Sequence, residues 1–106
     1  MTIEEERIGK ATVVLTLNGR LDTVNVPLLE SKLKTQEGIT EFTLDFKEID
    51  YISSMGLRVL LHAKKSMKEE GVSLNIIHMQ EHVHEIFEMT GFLNLMEKVD
   101  EAVPGQ

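Results

Sequence analysis

The chain has 106 residues, 42% of them hydrophobic and 27% charged, a balance that suits one soluble domain with a single core. It has no cysteine, which excludes disulfides and thiolate chemistry, and no apolar run approaches the length of a membrane span. A net charge of -7 opposes binding to a nucleic-acid backbone and suits either solubility alone or a basic partner.

The acidic start, Met1-Thr2-Ile3-Glu4-Glu5-Glu6, does not resemble a secretory signal, so a cytoplasmic setting is expected. Residues 2–7 read as a short edge strand, followed by a turn at Gly9-Lys10. Residues 12–17 (TVVLTL) are β-branched and apolar on both faces, as in a central strand, and Gly19 is expected to end it. Asn25 can cap a helix that tolerates Pro27 in its first turn. Val26, Leu29 and Leu33 recur at helical spacing to residue 34, with Gly38 closing the segment.

Residues 41–46 alternate cleanly, with Phe42, Leu44 and Phe46 on one side and Thr43 and Asp45 on the other. Residues 54–70 read as a helix ending at Gly71. Leu57, Leu60, Leu61 and Met67 form its buried stripe, and Lys64, Lys65 and Lys68 complement its dipole. A strand follows at 72–77, then a short helix at 81–90 with Val83, Ile86 and Phe87 inward. Residues 95–99 read as a last strand or helical turn, and 103–106, with Pro104 and Gly105, as a tail beyond an ordered core of about 3–102. The expected architecture is a single α/β domain over 1–106. A central mixed sheet of four to five strands packs against helices in the order β-β-α-β-α-β-α. The strand-to-helix loops, residues 19–23 and 51–55, should open at one end of the sheet, where sites in such folds concentrate.

No Gly-x-x-x-x-Gly-Lys-[Ser/Thr] loop, Gly-x-Gly-x-x-Gly turn or Gly-x-Ser-x-Gly elbow occurs, so no nucleotide cofactor is expected. His82 and His84 are two apart and diverge on a helix. His84 and Glu88 can pair one turn apart, but two ligands do not make a metal site, Glu85 notwithstanding. His62 and His78 are isolated. Asp22 is a lone carboxylate whose simplest role is to support a turn, and Arg20 reads as a solvated loop residue. In Tyr51-Ile52-Ser53-Ser54-Met55-Gly56-Leu57-Arg58, either serine can cap the helix that starts there. The same position suits a phosphate, because a helix start offers unpaired amides and a favourable dipole.

Four segments in register resemble one family. Gly19-Arg20-Leu21-Asp22 is similar to a Gly-x-Leu-Asp loop, and Leu44-Asp45-Phe46 with Ile49-Asp50-Tyr51-Ile52 to the approach to a phosphorylation loop. Ser53-Ser54-Met55-Gly56-Leu57 resembles Asp-Ser-[Ser/Thr/Ala]-Gly-Leu, and residues 86–92 resemble a late helix ending in Thr/Ser-Gly-[Leu/Phe]. The family is the STAS domain, in its small stand-alone form of bacterial anti-sigma factor antagonists.

The resemblance implies a partner switch with no catalysis and no cofactor. The unphosphorylated protein binds an anti-sigma factor that is also a serine kinase (a GHKL-type ATPase), which frees a sigma factor. Phosphorylation of the serine two before the loop glycine, Ser54 here, releases the partner, and a serine phosphatase restores binding. Carried over, the partner surface comprises Asp22, Thr23, Ser53, Ser54, Met55, Gly56, Leu57 and Arg58. No metal, direct nucleic-acid contact or membrane contact is implied.

The chain departs from the pattern twice. Ser53 replaces the usual Asp, which makes it a competing acceptor, and Met55, as open to inward packing as to a contact role, is larger than usual. The alternative reading is a non-phosphorylated STAS adaptor in a lipid-transport or stress-signalling complex. A hydrolase using Ser54 is a third, although no histidine is placed in sequence to activate it.

Overall fold

The two longest strands are built on alternation, broken in the second by buried Asp45. Val13, Leu15 and Leu17 are fully buried, as are Phe42, Leu44 and Phe46, while Thr12, Val14, Thr16 and Thr43 between them are only half-buried. The structure is a computed structural model that describes residues 1–34 and 36–101. Its elements are β1 (Thr2–Ile8), β2 (Thr12–Leu21), α1 (Val26–Lys32), β3 (Glu41–Ile52), α2 (Ser54–Glu69), β4 (Ser73–Ile77), α3 (Glu81–Met89) and α4 (Phe92–Glu101). They form a four-stranded mixed sheet in the order β1-β2-β3-β4, with β1 antiparallel to β2 and the other pairs parallel. The expected α/β sheet is therefore present, with four strands and with one more helix than the sequence pattern indicated.

The register explains the two faces of the sheet. Val13 lies beside Phe42 and Phe42 beside Leu74; Leu15 lies beside Leu44. These residues form one apolar face, on which the helices place Leu29, Leu57, Leu60, Met67, Val83, Phe87 and Met96. The opposite face carries Glu4 and Glu6 of β1 beside Thr16 and Val14 of β2, so it is wet and acidic. Apart from half-buried Ile3, β1 is exposed, and its three consecutive glutamates discourage pairing of this edge with another chain.

Four sequence expectations are corrected or extended here. Gly19 does not end β2. The strand runs to Leu21 through two shifts of register against β3, and Gly19 takes φ +116, which only glycine adopts without strain. Helix α1 stops at Lys32, so neither Lys34 nor Gly38 belongs to its end. Of the two readings for residues 95–99, the strand is overturned and the helical one extended: they are part of α4. Phe92, Met96 and Val99 lie at helical spacing and pack on the core, and the helix starts immediately after the left-handed Gly91. The expected tail at 103–106 falls outside the described residues.

The fourth difference concerns Lys64, which does more than complement the helix dipole. Its side chain is 6% exposed, and its ammonium donates to the Leu74 carbonyl of β4 and pairs with the Asp100 carboxylate of α4 at 2.8 Å. Lys68, one turn later, donates to the Asp100 carbonyl at 2.7 Å. The α2 stripe thus contains a cation that fastens α4 to the sheet; its methylene stem packs as an apolar residue would. Asp100→Ala leaves that buried ammonium without its carboxylate and is expected to lower the unfolding free energy by about 2 kcal/mol. Lys64→Met keeps an apolar stem, removes the charge and should cost less. Urea denaturation of both variants measures the order, and the reverse ranking would overturn this account of the clasp.

Candidate functional site

Strands β2 and β3 run in parallel and end level with each other, Leu21 beside Ile52. The loops that follow are tied directly: the Ser53 amide donates to the Leu21 carbonyl at 2.9 Å. The two strand-to-helix loops are therefore neighbours at one end of the sheet, but shorter than the expected residues 19–23 and 51–55, because β2 runs to Leu21, β3 runs to Ile52 and α2 starts at Ser54.

The first loop is a turn organised by Asp22. Its backbone carbonyl accepts from the amides of Asn25 and Val26 at 3.1 and 2.9 Å, and its Oδ1 accepts from Asn25 at 3.1 Å. Asn25 occupies the cap position of α1, but its side chain makes no capping bond. Its Nδ2 instead donates back to the Arg20 carbonyl at 2.9 Å. Arg20 is not a free loop cation: its guanidinium lies 4.2 Å above the centre of the Tyr51 ring, and its Nε is 3.7 Å from Asp22 Oδ2. Thr23 and Val24 form the exposed tip of the loop.

The second loop separates the roles of its two serines. Ser53 is extended, and its Oγ accepts from the Gly56 amide at 3.1 Å, so Ser53 is the cap of α2. Ser54 is the first residue of the helix. It is exposed and makes no side-chain hydrogen bond among the described residues. Gly56 is buried, and a β-carbon there would lie 2.8 Å from the Leu21 carbonyl oxygen and 3.0 Å from Ile52 Cγ1. Only glycine lets α2 begin this close to the end of β2. Leu57 then anchors the first turn in the core, while Met55 and Arg58 face solvent, so Met55 does not pack inward.

Of the eight residues carried over from the family, Asp22, Thr23, Ser53, Ser54, Met55 and Arg58 are at least partly accessible at this end of the sheet. Gly56 and Leu57 are buried beneath them and shape the loop from below. Sequence reasoning missed three exposed apolar residues at the same end: Val24 at 84%, Leu28 at 40% and Tyr51 at 38%. Leu28 was legible in principle, since it falls off the Val26-Leu29-Leu33 stripe of α1. Val24 and Tyr51 gave no periodic signal.

Three of the four histidines are engaged with other groups. His84 Nδ1 pairs with Glu88 at 2.7 Å, one turn on as the spacing suggested. His82 bonds the Asp50 carbonyl at 2.7 Å, and His78 bonds Asp45 Oδ1 at 3.2 Å. Among the described residues, no three acidic or histidine side chains are placed to share a metal, and no helix is long and apolar enough to cross a membrane.

Comparison with known proteins follows the same span. The family model described as "STAS domain" matches residues 2–104. BtrV of Bordetella bronchiseptica, whose name proposes it as an anti-sigma factor antagonist, is 35% identical over 85 residues, covering 78% of this chain and 73% of that protein. The anti-sigma-B factor antagonist of Staphylococcus epidermidis is 29% identical over 82 residues, covering 76% of each. Among solved structures, the anti-sigma factor antagonist SpoIIAA in its unphosphorylated form superposes with a TM-score of 0.68 at 20% identity, covering 83% of each chain. The phosphorylated form of the Bacillus protein superposes with 0.67, also at 20% identity, covering 89% of this chain and 87% of that one.

Two outcomes test the geometry. Gly56→Ala gains helix propensity but forces a β-carbon against backbone, and is expected to destabilise by about 1–3 kcal/mol in a denaturation experiment. Ser53→Ala should cost about 1 kcal/mol through the lost cap, whereas Ser53→Asp, an equally good cap, should leave stability within a few tenths of a kcal/mol. Equal losses for the two Ser53 variants would show that the bond to Gly56 is not a stabilising cap.

Proposed function

This chain belongs to the STAS domain family, and from that membership we propose that it is an anti-sigma factor antagonist: a binding switch, not an enzyme. Its unphosphorylated form binds an anti-sigma factor that doubles as a serine kinase of the GHKL ATPase type and so frees a sigma factor. The relatives named above as antagonists support the role, at up to 35% identity over most of the chain.

Phosphorylation of Ser54 reverses the binding. The hydroxyl oxygen of Ser54 attacks the γ-phosphorus of ATP, the bond to the β–γ bridging oxygen breaks, ADP leaves, and the hydroxyl proton passes to a base on the kinase. A serine phosphatase returns the hydroxyl. The observation that carries this reading is the division between the two serines. Ser53 is half-buried and committed to Gly56, while Ser54 is exposed with its hydroxyl free. A phosphate on Ser54 adds up to two negative charges next to exposed Met55 in the chain, at the end of the sheet where Val24 and Leu28 are also exposed, the kind of apolar surface a partner would cover. Burying that dianion against a partner would cost several kcal/mol unless it were paired.

The test is direct. The protein is incubated with ATP and the anti-sigma kinase encoded near its gene, and the phosphate is mapped by mass spectrometry. Phosphate on Ser54 is expected. Phosphate on Ser53 would overturn the acceptor assignment, and a stable complex with no phosphate would favour the constitutive adaptor reading. Ser54→Asp should weaken kinase binding about tenfold or more while Ser54→Ala binds as the native chain does, as read by calorimetry.

A further inference from the structure

Arg58 is the exposed cation nearest in the chain to the proposed phosphate, and nothing in the fold uses it. It lies four residues after Ser54 on α2, about 6 Å along the helix axis and on the same exposed ridge. Residues at this spacing have β-carbons about 5–6 Å apart, and an acid placed N-terminal to its base is the more favourable order. Among the described residues, Arg58 makes no ion pair and no side-chain hydrogen bond.

The other basic side chains near this loop are already engaged. Arg20 lies over Tyr51 and beside Asp22, and His82 is bonded to the Asp50 carbonyl. His62 and Lys65 lie about two and about three turns further along α2 than Ser54, beyond reach. The first-turn amide of Gly56, which could otherwise hold a phosphate oxygen, is bonded to Ser53 Oγ. Ser53 also stands where the family pattern has an aspartate, so no carboxylate on the adjoining residue competes for a cation.

Resting on the Ser54 reading above, we infer that Arg58 is the intramolecular counter-ion of phosphorylated Ser54. The guanidinium donates two N–H groups to phosphate oxygens in a bidentate pair on the surface of α2. Phosphorylation then changes the surface twice: it adds a dianion at Ser54, and it withdraws the arginine from whatever acidic group a partner would set against it. The pair closes within α2, so the switch needs no movement of the sheet.

The experiment installs phosphoserine at position 54 of the full chain during translation, which makes it independent of any kinase. The second ionisation of the phosphate is followed by ³¹P NMR against pH. A nearby cation favours the dianion, so the native chain should titrate about half a pH unit below the Arg58→Gln variant, with Arg58→Lys in between. Arg58 is exposed, and the dispersed amide spectrum of each variant verifies that it folds. Identical titration of the native and Arg58→Gln chains would overturn the inference, as would a shift that disappears in Arg20→Gln instead. Phosphate mapped to another residue by the kinase assay would sink the Ser54 reading while leaving this result on the chemistry of the pair intact.

Discussion

The Leu21 carbonyl receives the Ser53 amide at 2.9 Å, and the α-carbon of Gly56 sits so close that an added β-carbon would come within 2.8 Å of the same oxygen. This crowding at the end of β2 sets the position of everything around it. It holds the β3–α2 loop against the β2–α1 turn and fixes where α2 starts. It also dictates which residue can be the third of the helix. Because α2 begins directly over the strand end, Gly56 and Leu57 are buried within the first turn, and Ser54 and Met55 are left on the outside. The exposure of Ser54 and Met55 is thus a packing consequence. The same carbonyl that closes the sheet pushes the candidate switch residue to the surface.

The adjacent turn has the opposite character. Asp22 accepts three hydrogen bonds from two backbone amides and Asn25 reaches back to the Arg20 carbonyl, so the turn is fastened by local polar contacts and not by burial. Arg20 adds a clamp from above, between Asp22 and the ring of Tyr51. One loop is fixed by van der Waals exclusion and the other by hydrogen bonds, and the Leu21–Ser53 bond joins them. Such a platform can present Thr23, Val24 and Met55 with little ordering left to do on binding, which favours affinity for a given contact area.

Where the side-chain pattern is periodic, the sequence was transparent. The alternation in residues 41–46 and the Leu57-Leu60-Met67 stripe of α2 identify a strand and a helix because each encodes which face is buried. The loop glycine and paired serines were equally visible, as local chemistry at a fixed spacing. What escaped was whatever depends on a distant segment. Gly19 looks like a strand end, but β3 offers it partners through a bulge. Lys64 reads as one of three bases complementing a helix dipole, but Leu74 and Asp100 arrive from 10 and 36 positions further along the chain to bury and pair it. Asn25 stands at the cap position yet spends its amide on Arg20. Which of Ser53 and Ser54 caps the helix was also open, since both fit the composition of a helix start and only the backbone at Ser53 decides between them.

That last distinction bears on how a modification can act here at all. A capping hydroxyl is a poor place for a regulatory phosphate, because modifying it would replace the bond that starts the helix and couple signalling to stability. In this chain the cap is Ser53, and the neighbouring hydroxyl carries no structural bond among the described residues. The helix would therefore tolerate a phosphate on Ser54. Its first turn would stay pinned by Gly56 and Leu57 while the charge above it changed. If Arg58 accepts that charge, the difference between the two states lies entirely in the surface presented by one ridge of α2, with Met55, Val24 and Leu28 left in place. A partner would distinguish the states by electrostatics alone, through a dianion it must desolvate and an arginine it can no longer reach. The fold that displays them would be the same in both.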